Sequence, residues 1–88
     1  MNKKVYNLIT GKVITGRRLH RGLKQHELAD KANINRSHLS DVEKGMVNPT
    51  LDTVHKLAKG LDTSATSIVR EIEEDYNSNF KEIMDKKE

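Results

Sequence analysis

Residues 25–45, QHELADKANINRSHLSDVEKG, divide into two short amphipathic pieces joined by a polar turn. In the first piece, a helix expected from Gln25 to Ala32, the residues Leu28, Ala29 and Ala32 recur at helical spacing, which gives it one apolar face. Asn33-Ile34-Asn35 interrupts the pattern, and asparagine tolerates the left-handed backbone that a tight turn requires. Asn35 is also a good N-cap for a helix beginning at Arg36, with Leu39 and Val42 facing inward. Arg36, Ser37, Ser40 and Asp41 remain outside, with Lys44 at the end and Gly45 as the stop. These are short or forked hydrogen-bonding groups, the kind that can read base edges in a major groove.

The whole chain is compatible with that reading. Eighty-eight residues suffice for one small domain with a single modest core. With 34% hydrophobic and 33% charged residues and only Tyr6, Tyr76 and Phe80 aromatic, the core must be built from Leu, Ile, Val and Ala. Cysteine is absent, which excludes a disulfide framework, thiolate chemistry and a thiolate zinc site. No apolar run reaches the length of a membrane span or a signal-peptide core, so the expected compartment is the cytoplasm. Residues 1–49 hold ten Lys/Arg against four Asp/Glu, whereas residues 50–88 hold six against nine. A basic half and an acidic half suit a protein that faces nucleic acid with one side, although lopsided charge alone also arises by chance.

Outward from the central stretch, Val5, Leu8, Ile9, Val13, Ile14 and Leu19 predict a first helix from about Tyr6 to Arg21, after a loose basic start. Gly11 and Gly16 weaken it by about 1 kcal/mol each relative to alanine, so packing must hold it. Gly22 closes it. Beyond the Met46–Pro49 loop, Thr50 caps a fourth helix from Leu51 to about Lys59, with the stripe Leu51, Val54, Leu57 and Ala58. Ser64 caps a fifth helix from Ala65, with Ile68, Val69 and Ile72 inward. Its stripe continues through Tyr76, Phe80, Ile83 and Met84, so it either runs to about Lys86 or breaks and restarts near Phe80. The expected division is a domain over residues 1–75 and a helical extension or tail over residues 76–88.

Catalytic and metal chemistry find no support in the residue pattern. His20, His26, His38 and His55 lie on separate helices without ligand spacing, and Asp30 stands where a zinc-protease helix needs its second histidine. No glycine-rich phosphate loop follows a strand, and no serine has a recognisable base and oxyanion partner. No enzyme activity, metal, cofactor or small-molecule ligand is expected.

The pattern Arg18…Gly22-Leu23-x-Gln25-x-Glu27-Leu28-Ala29…Leu39-Ser40-x-Val42-Glu43-x-Gly45…Asn48-Pro49-Thr50-Leu51…Leu57-Ala58…Leu61 resembles the Cro/C1-type (XRE family) helix-turn-helix domain. The likeness spans about Ile9 to Val69, and within the family the chain is similar to restriction–modification controller proteins and small phage-type repressors. The resemblance implies an all-α, five-helix, lambda-repressor-like domain that binds a pseudo-palindromic double-stranded operator as a homodimer and regulates transcription. It implies phosphate contact by Gln25 at the start of the second helix, and by His38, Lys44, Asn48 and Thr50; Lys24 adds a cation beside them. Asn35, Arg36, Ser37 and Asp41, with Ser40 beside them, fall on the groove-facing positions, Arg36 being suited to guanine O6 and N7. Each has a plainer reading: Gln25 as a helix cap, Arg36 as a solvated side chain, His38 as a packed edge residue.

Arg18 and Glu43 match the family's internal ion pair. Arg17 replaces an apolar residue of the first helix, which asks for a snorkelling stem or a local rotation. Lys24 stands where serine or threonine normally caps. Dimer contact is expected around Ile68, Val69, Ile72, Tyr76 and Phe80, unless these complete the monomer core. The rival reading is a protein-interaction module, such as an antitoxin or adaptor that keeps the fold; non-specific nucleic-acid binding is a third.

Overall fold

The computed structural model describes residues 2–81, with side chains through residue 78. Five helices follow one another: α1 (Lys3–His20), α2 (Gln25–Ala32), α3 (Arg36–Glu43), α4 (Leu51–Gly60) and α5 (Ala65–Asp75). The helical path then widens into a π-turn over Tyr76–Lys81. The expected all-α architecture is present, and α2 keeps its expected bounds. No helix of the described residues is long and apolar enough to cross a membrane.

Four of the five helices begin on a side-chain cap. Asn2, Asn35, Thr50 and Ser64 each accept a backbone N–H from the first turn that follows, which satisfies a donor that the helix itself leaves orphaned. The turn between α2 and α3 rests on Asn33, whose φ of 55° is left-handed, as the sequence pattern requires.

Ile9, Ile14, Leu28, Leu39, Val42, Leu57 and Ile68 form the fully buried centre. The α1–α3 contact is close enough to dictate a residue type. A Cβ on Gly11 would stand 2.4 Å from the Glu43 carbonyl oxygen and 2.6 Å from that of Val42. Gly16, in contrast, faces open space.

At the same helix pair lies the buried ion pair. Arg18 Nε donates to Glu43 Oε2 at 2.8 Å and Nη2 donates to Oε1 at 3.1 Å. Its Nη1 donates to the Leu23 carbonyl at 2.8 Å, tying the α1–α2 connection to the same guanidinium. The two side chains are 12% and 5% exposed.

Several expectations need correction. The first helix begins earlier than Tyr6, because Asn2 caps it and the Asn2 N–H donates to the Tyr76 hydroxyl at 3.0 Å. Tyr76 is thus anchored to the chain's start, with its ring 6.2 Å from that of Tyr6. Burial, and secondarily the Glu73 carboxylate, raise the Tyr6 phenol above its ordinary value, so it stays neutral at physiological pH.

Ile68, Ile72 and Tyr76 are 0%, 2% and 8% exposed within one protomer. They complete the monomer core, the alternative to a dimer contact that the sequence leaves open. Val69 is half-buried. Phe80 lies in the π-turn and its side chain falls outside the described part, as do Ile83, Met84 and Lys86. Leu8, Leu19 and Leu51, placed on apolar stripes by spacing, are exposed.

Arg17 neither snorkels nor rotates the helix; it clamps α5. Its Nε donates to Glu71 at 2.7 Å, its Nη1 to Thr63 Oγ1 at 3.3 Å, and its Nη2 to the Ser67 hydroxyl and carbonyl at 3.1 and 3.2 Å.

Truncating one member of the buried pair strands the other. Arg18→Ala is expected to cost about 3–5 kcal/mol and to lower Tm by more than roughly 10 °C, read by thermal denaturation. The two glycines of α1 should move stability in opposite directions. Gly16→Ala is expected to stabilise by about 1 kcal/mol, and Gly11→Ala to destabilise by about 1–3 kcal/mol, as measured by urea titration.

Candidate nucleic-acid interface

The outward face of α3 follows from what its inward face buries. Leu39 and Val42 are fully buried, so Ser37, Ser40, Asp41 and Lys44, spaced i, i+3, i+4 and i+7, share the opposite side. Arg36 stands at the first helical position, exposed and without an ion pair among the described residues. Asp41 is half-buried and is not paired with it.

Asn35 and Ser37 are partly committed to each other. Asn35 Oδ1 accepts the Ser37 N–H at 2.8 Å and the Ser37 hydroxyl at 2.6 Å. The Asn35 amide hydrogens and the lone pairs of the Ser37 hydroxyl remain for an external partner. The cap therefore presents one donor group and one acceptor group, where free side chains would offer more combinations.

Beside α3 the start of α2 differs from the other helix beginnings. Lys24 has no acceptor to offer, and no side chain caps the first-turn amides. Glu27 instead reaches back, its Oε1 accepting the Lys24 N–H at 2.8 Å. The amides of Gln25, His26 and Glu27 thus end without a side-chain partner among the described residues, next to the exposed Lys24 ammonium. Orphaned amides at the positive end of a helix dipole suit an anion.

Gln25 is half-buried and is not a cap. Its Nε2 donates to Glu43 Oε1 at 3.0 Å, so it joins the buried Arg18–Glu43 pair. No sequence signal reveals that link, since the residues are eighteen positions apart and neither spacing nor periodicity relates them.

The remaining phosphate candidates surround the same face. His38 is half-buried, while Lys44 and Asn48 are exposed. Thr50 is exposed, and its hydroxyl caps α4, accepting the Thr53 N–H at 3.1 Å. Among the described residues no group of three or more His, Asp or Glu could hold a metal ion.

Comparison with known proteins places this geometry. A family model described as Helix-turn-helix matches residues 16–68. The immunity repressor protein of Bacillus phage phi105 is 36% identical over 77 residues, covering 81% of this chain and 54% of that protein. The chain thus spans about half the length of that relative. An uncharacterized HTH-type transcriptional regulator of Sinorhizobium fredii, y4dJ, is 33% identical over 57 residues, covering 65% of this chain and 74% of that protein.

Among solved structures, the restriction-modification controller protein C.Esp1396I superposes with a TM-score of 0.75 at 26% identity, covering 84% of this chain and 96% of its own. The controller protein C.AhdI from Aeromonas hydrophila gives 0.69 at 31% identity, covering 70% and 94%. With the family model spanning more than half of its residues, the chain belongs to the helix-turn-helix family of the Cro/C1 type.

Proposed function

We propose that this chain is a sequence-specific DNA-binding transcriptional regulator, acting in the cytoplasm as a homodimer on a pseudo-palindromic operator. One observation carries the reading: α3 buries Leu39 and Val42 and so must present Arg36, Ser37, Ser40 and Asp41 together. In this reading α3 enters the major groove, with Arg36 as the guanine-reading side chain and Asp41 able to accept from a cytosine amino group. Asn35 supplies its remaining amide hydrogens and Ser37 its remaining lone pairs.

The uncapped start of α2 receives a backbone phosphate, helped by Gln25 and Lys24. His38, Lys44, Asn48 and Thr50 flank that track. Phosphate contacts supply affinity that falls with salt, and α3 supplies the discrimination. The relatives, an immunity repressor, a transcriptional regulator and two controller proteins, support the same class of function.

An exposed surface beside the buried residues of α5 supports a dimer face better than the buried side chains themselves. A groove of about 510 Å³ between α4 and α5 is lined by Leu51, His55, Ala65, Val69, Arg70 and Glu73. Leu51 is 68% exposed there, a large apolar side chain without cover. The groove also carries both signs of charge, Arg70 standing beside Glu73 and Glu74 on α5. A two-fold axis passing between Arg70 and Glu73 would bring Arg70 of each copy towards Glu73 of the other. The half-sites would then lie about one DNA turn apart, ~34 Å.

Selection of bound sequences from a random double-stranded DNA library tests the reading directly. A pseudo-palindromic consensus is expected; a specificity ratio near one would sink it. On the selected operator, Arg36→Ala is expected to lose about 1–3 kcal/mol and to relax preference at one position of each half-site. Lys44→Ala should instead weaken all sequences alike and lower the salt slope by about 0.9 for each phosphate it no longer neutralises. Sedimentation equilibrium is expected to show a dimer that Leu51→Glu converts to a monomer while Tm stays near that of the parent protein. A parent protein that is monomeric at high micromolar concentration removes the dimer from the proposal.

A further inference from the structure

Within one protomer the Glu43 carboxylate accepts three hydrogen bonds, and only two of them serve the ion pair. Oε2 takes Arg18 Nε, whereas Oε1 takes both Arg18 Nη2 and the amide of Gln25. The third contact reaches the first residue of α2, beside the uncapped amides.

The chemistry of that contact fixes the glutamine. A carboxylate accepts and cannot donate, so only the nitrogen side of the Gln25 amide can face Glu43. Its two hydrogens then have separate fates: one is held by Glu43 at 3.0 Å, and the other meets no acceptor among the described residues and is open to an outside one. Arg18 holds the carboxylate in a bidentate grip, which sets the position of the acceptor itself. The guanidinium also balances the charge of Glu43, so the amide is oriented without a net negative charge beside an incoming phosphate.

We propose that Glu43 is a positioning residue for DNA binding: it holds the Gln25 amide ready to donate to a backbone phosphate. The proposal rests on the DNA-binding reading above. Glu43 belongs to the last turn of α3, so the base-reading helix and the phosphate donor share one anchor. Displacing α3 would therefore displace the donor with it. A glutamine fixed before binding also loses less rotamer freedom on contact than a solvated one.

Two measurements test the idea on the full chain. In the free protein, the side-chain order parameter of the Gln25 amide by ¹⁵N relaxation is expected near the rigid-backbone value of about 0.85. A value below about 0.6, the flexible range, overturns the proposal without reference to DNA. The second measurement is a coupling cycle on the operator selected from the library.

Gln25→Met is expected to weaken operator binding about tenfold in the parent protein, as for removal of one charge-assisted hydrogen bond. In an Arg18→Met/Glu43→Met background, where both charges are removed together, the same substitution should cost less than about twofold. An equal loss in both backgrounds means that Gln25 contacts DNA without help from Glu43, and overturns the positioning role. Replacing single operator phosphates by methylphosphonates locates the contact: at one position the loss seen in the parent protein should shrink in Gln25→Met, the remainder belonging to the α2 amides and Lys24. A loss of unchanged size at every position in the variant also overturns the proposal. If the parent protein selects no sequence, the DNA-binding reading has failed on its own account, and the amide order parameter still decides whether Glu43 holds Gln25.

Discussion

A carboxylate that is 5% exposed is tolerable only if its lone pairs are met by donors, because an unpaired buried charge costs several kcal/mol. Glu43 meets that condition with donors from α1 and from the first residue of α2. Arg18 in turn reaches the Leu23 carbonyl in the connection between those helices. Three helices and one connection are thereby fixed around a single ion pair. The hydrophobic core supplies most of the cohesion, but apolar contact is not directional. The buried pair adds direction, holding α3 at one distance and one rotation against α1. Gly11 completes the constraint, since the Val42 and Glu43 carbonyls stand where a side chain would have to go.

Such a constraint matters for a surface that reads bases. Hydrogen bonds to base edges lose strength over a few tenths of an ångström and a few tens of degrees, so the reading helix must arrive already oriented. The eight-residue α3 is too short to be stable alone. Its shape is borrowed from Leu39 and Val42 below it, from the Asn35 cap at its start and from Glu43 at its end. What faces outward is then free to vary without disturbing the fold. Structural and outward-facing residues occupy largely separate positions on the same two helices, with Asn35 and Gln25 serving at the border between them.

Much of this was legible in the sequence because it is local. A helix stripe, an N-cap, a turn asparagine and a stop glycine each act within four or five residues, and periodicity records them. Hence α2 was placed to the residue and α3 to within one. Ion pairing between Arg18 and Glu43 is long-range, and it was foreseen only through family resemblance. Contacts with neither a local pattern nor a family counterpart in view stayed hidden. Arg17 breaks an apolar stripe, which reads as a defect until Thr63, Ser67 and Glu71 prove to be its partners. Asn2 looked like loose chain until Tyr76, seventy-four residues away, accepted its N–H. Periodicity also placed Leu51 in the core, but a stripe says which residues share a face and not whether a neighbour covers it.

That last distinction changes how the C-terminal stripe should be understood. Ile68, Ile72 and Tyr76 lie four apart and are buried by their own protomer, so their hydrophobicity is already spent on the fold. An exposed apolar surface is informative only where the core has not claimed it. On α4 and α5 the unclaimed residues are Leu51 and the half-buried Val69, flanked by Arg70 and Glu73. Arg17 fastens α5 to α1 from its other side, so the groove is presented by a helix that cannot easily swing away. In the proposed dimer, the self-association face and the base-reading face would be held by two separate polar anchors, Arg17 on α5 and Glu43 on α3, joined through the single helix α1. The spacing between two reading helices in a dimer would follow from the rigidity of that one element. This is why Gly11, in direct contact with the end of α3, bears on the geometry of both faces although it touches neither DNA nor a partner.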